Sequence, residues 1–189
     1  MENVKTLDLK SLAWGKQNIA AQVLWITLFA ALTAVGAQIE IPRQPVPYTM
    51  QTFFVLLAGA MLGKRSGAFS QLVYLAAGLL GLPVFSGGGF GLAKLIGPTG
   101  GYLLSFPVAA FVVGYVLEGK TRYLWTLVSM VVGSLVIFSL GTLQLYFVYY
   151  HDWAIAFTNG FLIFSWWDVV KIVAAAGMYI PLAKKFKKS

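Results

Sequence analysis

Long apolar runs, broken by short polar, basic or glycine- and proline-rich stretches, set the plan of this chain. The first run, Gln17 to about Gly36, supplies the roughly 20 residues at about 1.5 Å each that a hydrocarbon core of about 30 Å requires. Later runs predict helices over about 50–62, 67–80, 101–117, 123–149 and 159–182. The expected fold is all-α: one membrane domain, 1–189, with six transmembrane helices. The breaks differ in kind. Between Ala37 and Thr49, Pro42, Pro45 and Pro47 exclude helix and favour a stiff, extended chain. Gly63-Lys64-Arg65-Ser66-Gly67 reads as a tight basic turn. The stretch 82–100 leads into a segment with seven glycines between Gly87 and Gly101, and with prolines at Pro83 and Pro98. Phe85, Phe90, Leu92, Leu95 and Ile96 are too apolar for a solvated linker, so a structured lid or wall is expected. The opening stretch 1–16 can lie along the membrane surface through Val4, Leu7, Leu9, Leu12 and Trp14, and does not read as a cleavable signal.

Composition agrees with the pattern. The 189 residues are 59% hydrophobic and 11% charged, which excludes an ordinary soluble domain. The absence of cysteine removes disulfides and cysteine metal centres, and the lone His151, beside Asp152 in a polar break, reads as a solvated loop residue. A net charge of +8 does not point to nucleic acid, because the basic residues cluster at the ends of apolar runs. They report orientation instead. One side collects Lys5, Lys10, Lys16, Lys64, Arg65, Lys120, Arg122, Lys184, Lys185, Lys187 and Lys188, the other only Arg43 and Lys94. Both termini are therefore expected to be cytoplasmic, with the proline loop, the glycine loop and the His151 connection outside.

Two charges fall inside a span. Asp168 and Lys171 are three apart, on one helix face, at a depth where charge is kept for a ligand, an ion path or a structural ion pair. Trp166 and Trp167 flank them as an aromatic wall or as interfacial anchors. Gln51, Thr52, Tyr74 and Gln144 lie near outer helix ends, where each is a candidate for the site or for a bond between helices. Enzyme signatures are missing. Gly59 to Arg65 is one residue short of a phosphate-binding loop and ends in Arg, and no cluster offers a metal site. Uphill movement of a solute would need a partner or an ion gradient.

The run from Thr49 through Gln51, Thr52 and Phe53 to Gly59, Gly63 and Gly67, then Tyr74, Gly81-Leu-Pro-Val-Phe85 and Gly97-Pro-Thr-Gly-Gly-Tyr102, resembles the BioY family. These are the biotin-specific capture subunits, or S-components, of energy-coupling factor (ECF) transporters. The resemblance covers essentially the whole chain. It implies that the protein is not an enzyme and has no cofactor. It also implies six helices in the cell membrane, biotin captured from outside, and partnership with a coupling membrane subunit and two cytoplasmic ATPases. Small residues on the first helix mark the coupling contact in this family, and Ala30 and Ala34 fit. In that frame Asp168 would accept the ureido N–H groups of biotin and Lys171 would donate to its carbonyl, while Arg43 or Lys94 would meet the carboxylate. Tyr74, Phe85 and Trp166 would wall the apolar part, with loops 37–49 and 82–100 closing over it. A reversed pose, with the carboxylate on Lys171, stays open, as do a stand-alone secondary transporter or channel and, less favoured by these residues, a small membrane enzyme.

Overall fold

The computed structural model describes residues 19–120, 122–162 and 165–187. The expected surface segment 1–16 lies outside them. Helix α1 is Ile19–Gln38, and a two-stranded antiparallel ribbon of β1, Glu40–Ile41, and β2, Tyr48–Thr49, follows. Then come α2, Gln51–Leu79; α3, Leu92–Ile96; α4, Gly100–Leu117; α5, Tyr123–Leu145; α6, Trp153–Gly160; and α7, Ser165–Lys187. Among the described residues, four helical segments, 19–38, 100–117, 123–150 and 166–183, are long and apolar enough to cross a membrane.

Helix α2 stands where two spans with a five-residue turn were expected. The turn is a single residue: Gly63 has φ 77° and ψ 178°, and helix resumes at once. A residue with a Cβ would be strained at that φ. The chain doubles back there, for a Cβ on Gly67 would lie 2.9 Å from the Cα of Gly59, whereas residues eight apart in an unbroken helix are about 12 Å apart. The limbs, 51–62 and 64–79, are each shorter than the roughly 20 residues a full crossing takes. Helix α4 packs on this hairpin through further close approaches, since a Cβ on Gly59 would meet the Ala110 carbonyl at 2.4 Å and one on Gly114 the Lys64 nitrogen at 2.2 Å. Of the two glycines that superficially resemble a phosphate loop, Gly59 thus packs against α4 and Gly63 makes the turn.

The last expected span also changes. Asn159 and Gly160 belong to the short helix α6, whose N-terminus is capped by Asp152 accepting from the Ile155 N–H at 2.9 Å, and the long helix begins afresh at Ser165. A Cβ on Gly160 would meet Leu145, Thr142 and Tyr102 at 2.8 Å, so α6 is seated against α4 and α5.

Sidedness within the bundle follows from two sets of contacts. At one end, Lys64 pairs with Glu118 at 2.6 Å, joining the Gly63 turn to the α4–α5 connection. At the other end, Gln38 donates to the Phe85 carbonyl at 3.1 Å and accepts from the Gly88 N–H at 3.2 Å, tying the end of α1 to the glycine loop. Arg43 reaches Asn159 there too. The proline ribbon and the glycine loop therefore share one end, above the same bundle.

Candidate functional site

Helix α7 has a single inward face. Asp168, Lys171, Ile172, Ala175, Ala176 and Tyr179 are buried on it, while Trp166, Val169, Val170, Val173 and Met178 are exposed. In lipid the outward surface is apolar, so the two charges must turn inward. They meet the start of α2, which is held close to α1: the Met50 N–H donates to the Gly36 carbonyl at 3.0 Å. A Cβ on Gly36 would strike Phe54 at 2.6 Å, so this approach needs glycine.

Asp168 Oδ1 and Lys171 Nζ are 2.7 Å apart, with side chains only 3% and 4% exposed. Lys171 also donates to the Thr52 hydroxyl at 2.6 Å and to the Thr49 carbonyl at 3.1 Å. An ammonium has three donors, so none is left over. The Thr52 hydroxyl donates in turn to Asp168 Oδ1 at 2.9 Å. Asp168 Oδ2 is buried and has no partner among the described residues. A buried carboxylate oxygen without a donor is costly, and Asp168 is one of the residues that line a pocket.

That pocket, with a cavity volume of about 40 Å³, lies where the proline ribbon, the start of α2, α4, α5 and α7 converge. Thr49, Gln51, Thr52, Asp168 and Lys171 supply its polar wall, and Val46, Pro47, Leu103, Tyr102, Phe106 and Phe138 its apolar one. Ser86 and Thr99 complete the rim and are shared with an open vestibule containing Glu40, Arg43 and Lys94. Arg43 bonds to neutral groups, the Tyr48 hydroxyl at 3.3 Å and Asn159 Oδ1 at 3.2 Å, and Lys94 to the Ser86 carbonyl at 3.1 Å. Neither forms an ion pair among the described residues.

A second chain of hydrogen bonds leaves the polar wall. Thr49 Oγ1 donates to Gln51 Oε1 at 2.9 Å, Gln51 Nε2 donates to the Tyr74 hydroxyl, and Tyr74 donates to the Val84 carbonyl at 3.2 Å. The pocket floor is thereby linked to the glycine loop. Gln144 pins the other end of that loop, donating to the carbonyls of Leu95, Ile96 and Gly97 at 2.9, 3.2 and 2.8 Å.

The expected site residues do not all come together. Asp168, Lys171 and Gln51 line the pocket, and Arg43 and Lys94 line the vestibule above it. Tyr74 and Phe85 stand behind the pocket and not on its surface. Phe85 is 0% exposed, its ring edge-on to Tyr74 at 5.5 Å and so close to Gly78 that a Cβ there would lie 2.0 Å away. Trp166 is 66% exposed, because two positions along a helix turn a side chain about 200° away from Asp168. It does not wall the pocket. Ala30, expected at a partner surface, is 7% exposed and packed in the bundle core, with Ala34 partly buried beside it. Ala30 is thus used in packing within the bundle, while Ala34 keeps part of its surface. Tyr102, Phe106 and Phe138 were missed. Tyr102 stands in the Gly97–Tyr102 run and Phe106 one turn below it, but nothing local distinguishes Phe138 on α5 from any other apolar span residue.

A profile described as the BioY family matches residues 5–188. The chain is 44% identical over 163 residues to a protein named Biotin transporter BioY from Thermotoga maritima, covering 86% of this chain and 96% of that one. It is 46% identical over 157 residues to a Probable biotin transporter BioY from Pyrococcus horikoshii, covering 82% and 92%. A crystal structure described as the S-component for biotin from an ECF-type ABC transporter superposes with a TM-score of 0.83 over 90% of this chain and 95% of that one. At 24% identity that likeness establishes the shared fold.

Proposed function

The chain belongs to the BioY family, a transporter family and not an enzyme family, and from that premise and the pocket we propose that it captures biotin at Asp168. The observation that carries the reading is the buried, unpartnered Oδ2 of Asp168, a residue of the polar wall. It is left to accept from a donor, and the ureido ring of biotin offers two N–H groups. Because the Asp168–Lys171 pair is already neutral and Lys171 has no free donor, a neutral head group fits this wall and a carboxylate does not. The ureido carbonyl is then met by another donor, and the amide of Gln51 lines the same wall. The fused rings lie against Tyr102, Phe106 and Phe138, and the acidic tail rises towards Arg43 and Lys94, whose bonds to neutral groups leave their charge uncompensated.

The transport cycle built on this capture is part of the proposal. The two short limbs of α2 count as reduced crossings, which with the four long helical segments makes six. The shared end of the proline ribbon and the glycine loop faces outside, as the basic residues at the opposite end favour. Delivery then depends on an ECF coupling subunit and two ATPases. Isothermal titration of the purified protein with biotin, without nucleotide, should give one site per chain. Proteoliposomes should show uptake only when the coupling subunit and ATPases are co-reconstituted. No heat of binding at millimolar biotin would overturn the capture role, and concentrative uptake by the protein alone, driven by an ion gradient, would overturn the coupling.

A further inference from the structure

Thr52 holds a place that neither charge can fill for the other. Its hydroxyl accepts from Lys171 Nζ at 2.6 Å and lies 2.9 Å from Asp168 Oδ1. An ammonium cannot accept, so the single hydroxyl proton goes to Oδ1. Oδ1 is then met twice, by Lys171 and by Thr52, and Oδ2 is met by nothing among the described residues. The asymmetry matters because all these groups are buried, Thr52 at 9% exposure being the least so. Without the hydroxyl, Lys171 would have one donor released and a free carboxylate oxygen as the neighbouring acceptor, and the ammonium could straddle both oxygens.

We infer that Thr52 is the positioning residue of the site: it engages one donor of Lys171 and one oxygen of Asp168, so that Oδ2 is held open for a ligand N–H. This rests on the reading of Asp168 as the ligand acceptor, and adds that discrimination for an N–H donor depends on a residue that need not touch the ligand through its hydroxyl. Thr49 cannot substitute, since it contributes a backbone carbonyl to Lys171.

The test compares wild type, Thr52→Val and Thr52→Ser. Valine keeps the shape and removes the hydroxyl, and serine restores it. Titrations would use biotin and two cyclic carbamate analogues, each with one ureido N–H replaced by ring oxygen, the analogues read by competition against labelled biotin. Thr52→Val should weaken biotin by about tenfold or more, the scale of a hydrogen bond to a charged group. Thr52→Ser should stay within a few-fold of wild type. The Val penalty should vanish for the carbamate that lacks the N–H received by Oδ2 and persist for the other. An equal penalty on all three ligands, no penalty on biotin, or serine behaving as valine would overturn the inference. A ligand-free measurement makes the result independent of the analogues: the infrared carboxylate bands of ¹³C-labelled Asp168, isolated by difference from Asp168→Asn. Their antisymmetric–symmetric splitting should narrow in Thr52→Val as both oxygens become engaged, and an unchanged splitting would overturn the inference. If wild type binds no biotin yet the splitting narrows, the capture reading fails and the positioning of Asp168 by Thr52 stands.

Discussion

Removing the ammonium of Lys171 separates what the ion pair does for the fold from what it does for the ligand. Lys171→Met keeps the length of the side chain and deletes three hydrogen bonds, to Asp168 Oδ1, Thr52 Oγ1 and the Thr49 carbonyl. It leaves Asp168, 3% exposed, with the Thr52 hydroxyl as its remaining donor. Breaking a buried pair from one side typically costs about 3–5 kcal/mol, because the surviving charge is stranded. At roughly 2–4 °C per kcal/mol for a chain of this size, Tm should fall by about 6–20 °C. Deleting the partner as well should reverse most of that loss. Asp168→Leu with Lys171→Met replaces the pair by apolar groups of similar bulk, an exchange that is often neutral or stabilising, with about 1 kcal/mol remaining for the unmatched Thr52 hydroxyl. The double variant should therefore melt near wild type and bind no biotin, while the single variant melts low. Thermal unfolding in one detergent, beside titration with biotin, reads both quantities. The reasoning is refuted if Lys171→Met melts with wild type, or if the stable double variant binds biotin with native affinity.

Trp166→Ala should leave biotin affinity within about twofold, because the ring points away from Asp168; a tenfold loss by titration would return Trp166 to the pocket wall. Gln38→Leu deletes both bonds to the glycine loop, and at about 1 kcal/mol for each should speed hydrogen exchange around 85–91 without altering exchange in α4 and α5. Uniform acceleration would mean that the loop is not a separately opening unit. Ala30→Trp should lower Tm and biotin binding together, since this position is core and forced overpacking commonly costs about 1–3 kcal/mol or more; a stable variant that binds biotin but no longer copurifies with the coupling subunit would restore the partner assignment.

Much of the architecture was legible because lipid imposes a simple rule. A chain that must satisfy its backbone inside hydrocarbon does so as helix, and the apolar runs at about 17–36, 101–117 and 123–149 therefore fall within a few residues of the helices at 19–38, 100–117 and 123–145. The same rule exposed Asp168 and Lys171, since a charge within a span has to find a partner, and their spacing of three put them together. The Gly63 reversal was legible as a break and not in its form, because whether the flanking residues coil depends on how closely two limbs and α4 can pack.

The tertiary structure decided the rest of the site. Apolar span residues look alike in sequence, so nothing local could say that Phe138 faces the pocket while Phe85, in a family motif, is sealed behind it. Helix rotation turned Trp166 to the outside, and the close approach of α1 to α2 drew Ala30 into the core. Thr52 is the clearest case. As one hydroxyl near a helix end it had many equivalent fates, and only the crossing of α2 with α7 set it between the two charges. Composition and periodicity act along one element and are written in its residues. The open oxygen of Asp168 depends on distances between atoms more than a hundred positions apart in the chain, and those exist only once the bundle has packed.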